Sequence, residues 1–168
     1  MDAPGTKDAA VLVALHGDPL TAVFTERRAD LRRHAGEISF PGGRQDEPDE
    51  DLRETALREA EEEIGLPARA VELVGALQPT PTIATNYAVY PFVGLIEPGR
   101  AWEPSATEVA EVMEVPLSAL RAGYERRRLL RRGVPFRTDV YVVGEDVIWG
   151  ATARMVGDLL DRLPDDLG

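Results

Sequence analysis

The 168-residue chain is long enough to form one domain with a complete hydrophobic core, and its 43% share of hydrophobic residues excludes an intrinsically disordered protein. Cysteine is absent, which excludes disulfides, thiolate metal sites and cysteine nucleophiles, and two histidines, His16 and His34, are too few for a histidine-rich metal site. The net charge of −11 argues against a nucleic-acid partner, and no apolar run is long enough for a membrane span.

Apolar periodicity and turn residues predict one mixed domain behind a short amino-terminal tail. Residues 1–8 are polar and acidic, which predicts a flexible tail and no secretory signal, so we expect a cytoplasmic protein. Strands are predicted at residues 9–16, 21–25, 71–77, 88–96 and 146–150, with weaker candidates within 123–143. The other predicted segments are a basic stretch at 27–34, helices at 50–64 and 151–163, a loop at 78–86 and a short turn or helix at 105–112. Mixed strands with few helices predict an α/β or α+β fold with a mixed β-sheet.

The first predicted helix carries a concentration of carboxylates. Gly65 is expected to end this helix in a left-handed conformation. At about 100° per residue, Glu59, Glu62 and Glu63 share one face of it. Like charges at this spacing destabilise a bare helix, whereas a divalent cation would turn the repulsion into coordination. A solvated acidic face is the other interpretation of such a string, and it is common on helices.

The wider pattern decides between the two interpretations. The chain reads Phe-Pro-Gly-Gly at 40–43 and Arg-Glu-Ala-Glu-Glu-Glu-Ile-Gly-Leu at 58–66. Together these closely resemble the Nudix box, G-x5-E-x7-R-E-U-x-E-E-x-G-U, in which U is aliphatic. The loop between them is one residue longer than the box, so either Asp49 or Glu50 takes the early acidic position.

This resemblance implies a Nudix-type α/β/α sandwich with a loop–helix–loop catalytic motif, as a single domain over residues 9–168. It implies Mg²⁺ or Mn²⁺ held by Glu59, Glu62, Glu63 and the Gly43 carbonyl. Arg58 would orient a carboxylate through a charge-assisted hydrogen bond. In such enzymes water attacks a phosphorus of a diphosphate, and the metals activate that water and neutralise the developing charge.

An upstream motif narrows the substrate. Thr25, Arg27, Arg32, Gly36 and the Phe-Pro-Gly-Gly turn match the pattern L-L-T-x-R-[SA]-x3-R-x3-G-x3-F-P-G-G of the coenzyme A pyrophosphatase branch. The chain departs from it at Val23-Phe24 and at Arg28. The resemblance implies hydrolysis of coenzyme A, or of its acylated or oxidised forms, to 3′,5′-ADP and 4′-phosphopantetheine.

In this branch the implied substrate-binding residues are Arg27, Arg32, Gly42 and Gly43. Arginine grips phosphate bidentately, and the glycines let the backbone approach the ligand. A solvated basic stretch balancing an acidic chain is the alternative for the arginines. The alternatives for function are a Nudix hydrolase of ADP-ribose, NADH or a nucleoside triphosphate, and a non-catalytic Nudix-fold binding module, which the intact Arg58 and glutamates argue against.

Three weaker features remain. Glu108 and Glu111 lie where Nudix enzymes often place an extra carboxylate, which would hold a metal or act as general base, although a polar helix face explains them equally. Arginines 126–128 and 131–132 are interpreted as a charged strand edge rather than a nucleic-acid patch. Trp149 is expected in the core or in a pocket wall. A homodimer is compatible with the resemblance, but no interface can be located.

Overall fold

The protein is described by a computed structural model that covers residues 7–30, 36–49, 51–82 and 86–164. Its eleven described strands are β1 Lys7–His16, β2 Thr21–Arg27, β3 Ile38–Ser39, β4 Gly42–Arg44, β5 Glu72–Ala76, β6 Thr80–Pro81, β7 Tyr87–Leu95, β8 Val109–Pro116, β9 Tyr124–Arg131, β10 Val134–Val143 and β11 Asp146–Ile148. The helices are α1 Leu52–Ile64, α2 Leu117–Ala122 and α3 Gly150–Arg162, with a short 3-10 helix at Ala68–Ala70.

Eight of the strands form one mixed sheet. Its central order is β3-β2-β1-β7-β5, while β4 pairs with β1, β6 with β7 and β8 with β2. β1 and β7 run parallel over nine residue pairs, and the other pairings in this sheet are antiparallel. Strands β9, β10 and β11 form a separate antiparallel sheet.

Both faces of the large sheet are buried, which explains why β1 is apolar along almost its whole length. Leu12, with its neighbours Ala10 and Ala14, packs with α1 in one core cluster. Val13 and Leu15 pack with α3 in the other. Side chains alternate between the faces of a strand, so a strand between two helical layers needs apolar residues at successive positions. The predicted α/β/α sandwich with a mixed sheet is confirmed.

The ends of α1 follow local capping chemistry. The Asp51 side chain accepts a hydrogen bond from the Glu54 amide at 3.0 Å, so the helix begins after Asp51 rather than at residue 50. It ends at Gly65, whose φ is +74° and whose amide donates to Glu61 O, as the sequence predicts.

Two boundaries differ from the predictions. β1 begins at Lys7, so residues 7 and 8 belong to the sheet rather than to a tail, and residues 1–6 lie outside the described part of the chain. The predicted turn or helix at 105–112 is a turn followed by β8, which pairs with β2 from Val109 onwards. None of the described helices has the length and apolar character needed to cross a membrane.

Candidate functional site

The Phe-Pro-Gly-Gly turn brings backbone against the carboxylate face of α1. β4 pairs with β1 through Gly42 opposite Val11 and Gly43 opposite Ala10. A Cβ on Gly43 would lie 2.6 Å from Cδ of Glu59, and a Cβ on Gly42 would overlap the backbone of β1. At Gly42 only glycine allows this close approach, whereas a side chain at Gly43 would displace the Glu59 carboxylate. The Gly42 amide donates a hydrogen bond to Oε2 of Glu63 at 2.8 Å.

The three glutamates on this face differ in their environment. Glu59 and Glu63 are largely buried, whereas the Glu62 side chain is 59% exposed. Burial, with the charges of Glu59 and Glu108, raises the pKa of Glu63 to about 8, against the lowering effects of the Gly42 hydrogen bond and the Arg27 charge. Burial also raises the pKa of Glu59. Two buried carboxyl groups so close together are costly to ionise without a nearby positive charge.

Arg58 links the helix to the acidic loop before it. Its Nε and Nη2 donate to the Asp49 carboxylate at 3.0 and 2.9 Å, and its Nη1 donates to Glu59 at 3.0 Å and to Glu62 at 3.4 Å. The Asp49 side chain is only 5% exposed and also accepts from the Thr55 hydroxyl at 3.0 Å. The Arg58 hydrogen bonds lower the pKa of Asp49 to about 2. Asp49 is therefore the main partner of Arg58 from the loop, with Asp46 farther away at 3.5 Å, while Glu50 lies outside the described residues.

A second loop closes over the carboxyl end of α1. The amides of Glu103 and Ser105 donate to the carbonyls of Ile64 and Glu63 at 3.0 and 2.8 Å. The same loop carries Glu108, whose carbonyl accepts from the Arg28 amide at 2.9 Å. These backbone bonds fix Glu108 relative to Glu63. The sequence does not reveal them, because main-chain donors leave no residue signature.

Several of the predicted site residues line one cleft of about 240 Å³. Arg27, Gly42, Gly43, Glu63 and Glu108 all line it. The other residues lining it include Thr25, Glu37, Ser39 and Phe40, Thr82 and Val89, and Ala151, Thr152 and Met155 from α3. The amphipathic pattern of residues 151–163 predicts the helix α3, but it does not show that the first turn of this helix reaches a cleft.

The remaining predicted residues lie elsewhere. Arg32 falls outside the described residues. Glu111 pairs across the strands with Glu26, whose pKa is raised by burial and then by the charges of Asp146 and Glu111. Glu111 is not among the described residues that line the cleft with Glu108. Trp149 is 47% exposed, which corrects its expected place in the core, and it is not among the described residues that line the cleft.

The donors at this site are suited to a hard divalent cation. Glu59, Glu62, Glu63 and the Gly43 carbonyl supply only oxygen, which Mg²⁺ and Mn²⁺ prefer. The carboxylates are not converged as they stand, and the described residues contain no group of three or more acidic or histidine side chains placed to hold a metal. Arg58 donates hydrogen bonds to Glu59 and Glu62, and the Gly42 amide donates one to Glu63. These carboxylates would have to reorient towards one another to bind a shared cation. The raised pKa values of Glu59 and Glu63 fit such a cation, because Arg58 and Arg27 only partly offset the cost of burying these carboxylates and a cation would add further positive charge.

Comparisons with known proteins identify the family of the chain. The model of the NUDIX domain family matches residues 6–133. An uncharacterized Nudix hydrolase NudL from Photorhabdus laumondii is 39% identical over 160 residues, covering 94% of this chain and 85% of that protein. The protein of the same name from Salmonella paratyphi B is 39% identical over 156 residues, covering 91% of this chain and 81% of that protein.

Solved structures show the same fold at low sequence identity. The NUDIX domain of Shewanella oneidensis NrtR, complexed with ADP ribose, has a TM-score of 0.65 at 16% identity and covers 96% of this chain and 91% of its own. A Nudix hydrolase from M. smegmatis, RenU, has a TM-score of 0.59 at 20% identity and covers 69% of this chain and 74% of its own. The chain therefore belongs to the Nudix family, as a hydrolase that acts on pyrophosphate bonds with the help of divalent metal ions.

Proposed function

We propose that this Nudix hydrolase cleaves the diphosphate of coenzyme A, or of its acylated or oxidised derivatives, to 3′,5′-ADP and 4′-phosphopantetheine. The observation that carries the proposal is that Arg27, from the upstream motif, lines the same cleft as Glu63, from the carboxylate helix. A phosphate-binding guanidinium and the hydrolytic carboxylates thus face one ligand. The cleft is smaller than the roughly 300–1,000 Å³ of typical small-molecule sites, so its described walls hold the reacting end of the substrate.

Each residue has a proposed task. Glu59, Glu62, Glu63 and the Gly43 carbonyl hold the metal, which we propose to be Mg²⁺ or Mn²⁺. A bound divalent cation would polarise the phosphoryl oxygens and offset the charge that develops when water attacks phosphorus. Arg58, anchored by Asp49, sets the positions of Glu59 and Glu62. We propose that Asp49 fills the early acidic position of the Nudix box.

Glu108 is the proposed general base. It lines the cleft beside Glu63, and its charge contributes to the raised pKa of that group. A carboxylate outside the metal set is free to accept the proton of the attacking water. Glu111 does not line the cleft within the part of the chain that the structure describes, so it is not suited to this task.

Arg27 and Arg32 are proposed to bind the 3′-phosphate that distinguishes coenzyme A from dephospho-coenzyme A. Arginine suits this task because its planar guanidinium donates two hydrogen bonds to one phosphate. Other Nudix substrates, such as ADP-ribose, which the NrtR domain binds, and NADH, carry no 3′-phosphate. They are the alternative substrates for this chain.

The substrate proposal is tested with Arg27→Ala, using coenzyme A and dephospho-coenzyme A in parallel. The expected result is a rise in KM of about tenfold for coenzyme A and a much smaller rise for dephospho-coenzyme A, because the lost hydrogen bonds are charge-assisted. Arg69→Ala, an exposed arginine in the 3-10 helix, is the control and leaves both values unchanged. Equal rises in KM for the two substrates would show that Arg27 does not bind the 3′-phosphate.

We further propose a cytoplasmic homodimer that uses the β9–β10 hairpin. Leu130, Val134 and Phe136 are large apolar side chains that the hairpin exposes. Residues 124–137 contain six arginines and one glutamate in a chain of net charge −11, so the rest of the chain is more acidic still. A basic, apolar hairpin complements the acidic surface of a second copy, which supports reciprocal docking of two chains.

A further inference from the structure

The amino-terminal turn of α3 lies on the same cleft as the carboxylate helix, and neither the Nudix box nor the upstream motif assigns it a task. Ala151, Thr152 and Met155 line the cleft together with Arg27 and Glu63. α3 has thirteen residues, so its peptide dipoles sum to a substantial partial positive charge at this end.

The turn is left without a cap. Trp149 takes the capping position but makes no side-chain hydrogen bond to the helix, and the first turn contains no acidic residue. The first amides of a helix have no partner within it. Gly150 has φ of +67°, and a Cβ there would meet nothing within 4 Å, so no other part of the described chain packs against the Cα of this residue on that side.

Thr152 provides a second and independent sign of a ligand. Four threonines are buried among the described residues, and three of their hydroxyl groups donate to a partner, Thr25 to Ser39 O, Thr55 to Asp49 and Thr80 to Gln78 O. Thr152 is the fourth. It is 5% exposed and lines the cleft, yet within the described ranges its hydroxyl has no hydrogen-bond partner. A hydroxyl that lies on the cleft wall without a protein partner can donate its hydrogen bond to a bound ligand.

We propose that the Thr152 hydroxyl and the free amides at the start of α3 form a phosphate subsite of the cleft, which holds one phosphoryl group of the substrate diphosphate. Backbone amides at a helix terminus and a hydroxyl beside them are donors that phosphate oxygens accept. Arg27 adds a positive charge to the same cleft, and it offsets part of the repulsion from the cleft carboxylates Glu37, Glu63 and Glu108. The subsite deepens the proposed function and rests on it, because it takes part of the same substrate.

The direct test is a titration of the isotope-labelled, metal-free protein with 3′,5′-ADP and with inorganic phosphate, followed by NMR. The backbone amide signals of Ala151 and Thr152 are expected to shift and to saturate. Thr152→Val keeps the shape of the side chain but removes the donor, and it should weaken binding by about tenfold, while Thr152→Ser should restore it. Amide signals that do not move, or affinities that are equal for wild type and Thr152→Val, would overturn the subsite.

Measurement of KM and kcat distinguishes phosphate binding by Thr152 from a purely structural role of this residue. Because a phosphate contact that exists before and during the reaction contributes uniform binding, Thr152→Val should raise KM for coenzyme A and leave kcat nearly unchanged. Thr138→Val, a half-buried threonine on β10, is the matched control and should change neither. A fall in kcat without a rise in KM would contradict the subsite. If the wild-type enzyme cleaves none of the offered diphosphates, the proposed function fails, and the phosphate titration still decides the subsite.

Discussion

At the scale of single residues, the site is built from ionisable groups whose surroundings push their pKa values apart. Burial raises the pKa of Glu63 to about 8, while hydrogen bonds from Arg58 lower that of Asp49 to about 2. Burial therefore dominates at Glu63, whereas direct hydrogen bonds to a guanidinium dominate at Asp49. This difference separates the groups proposed to hold a metal from the group that positions them.

Glu63→Gln is expected to lower turnover of the substrate by at least about a hundredfold, because it removes a proposed metal ligand from the cleft. The fold should be retained, since the amide oxygen still accepts the Gly42 hydrogen bond. Activity assays at saturating Mg²⁺ check the loss of turnover, and thermal unfolding checks that the fold is retained. Glu61→Gln, an exposed neighbour on the same helix, should behave as wild type. Normal turnover by Glu63→Gln would contradict the assignment of the site.

Asp49→Asn is expected to reduce the free energy of unfolding by about 1–3 kcal/mol at neutral pH, because it leaves the Arg58 guanidinium without its main partner. The pKa of Asp49 falls from 3.8 to about 2 on folding, so its stabilisation is complete above about pH 4 and is lost as the pH drops towards 2. Denaturant unfolding between pH 2 and 7 should show that the difference in unfolding free energy between wild type and variant becomes smaller at low pH. A difference in unfolding free energy that stays constant with pH would contradict a stabilising ion pair between Asp49 and Arg58. Asp30→Asn, an exposed carboxylate paired with Arg28, should change stability little.

At the scale of elements, local signals predict an element well until a distant pairing partner overrides them. The helix α1 and its end at Gly65 follow from apolar spacing and a glycine, both of which are local signals. The first four residues of β8, 109–112, fall in the segment predicted as a turn or helix, and there alanine and glutamate, which favour helices, lie between two valines. Pairing with β2 over seven residue pairs overrides that preference, and a partner so distant in sequence leaves no local signal.

Gly65→Ala tests how the end of α1 positions the site. The residue needs φ of +74°, and an added Cβ would lie 2.7 Å from Cβ of Glu103, in the loop that leads to Glu108. We expect a loss of about 1–3 kcal/mol in stability and lower turnover, because both the helix end and the loop must shift. Gly99→Ala is the matched control, with φ of +79° and no atom within 4 Å of the added Cβ. Its turnover should stay normal, and equal losses of turnover in the two variants would refute the positioning role.

At the scale of the whole molecule, the carboxylate helix, the glycine turn and Arg27 could be predicted from the sequence, because each is part of a short motif. The contacts that complete the site could not. The amide of Ser105 on the Glu63 carbonyl and the approach of Thr152 to the cleft join segments far apart in the chain. Such contacts depend on how two helical layers pack on one sheet, which no residue pattern encodes locally.

The proposed dimer is a property of this same scale. Sedimentation of the wild-type protein should give twice the chain mass of 18.4 kDa at low salt, with dissociation as salt screens the charge attraction. Leu130→Ser combined with Val134→Ser should give the monomer, because these side chains are 72% and 62% exposed in the single chain and have no other described packing role. Val74→Ser, an exposed apolar residue on β5, should leave the dimer intact. A monomeric wild type at all salt concentrations would contradict this arrangement.

The most direct test is a product assay in which the purified protein is incubated with coenzyme A, dephospho-coenzyme A, ADP-ribose and NADH, each with Mg²⁺ or Mn²⁺, and the products are separated by chromatography. The prediction is release of 3′,5′-ADP and 4′-phosphopantetheine from coenzyme A, faster than attack on the other three, and only when the metal is added. Faster cleavage of ADP-ribose or NADH would agree with pyrophosphate hydrolysis but contradict coenzyme A as the preferred substrate. No cleavage of any of the four would contradict the proposed function as a whole.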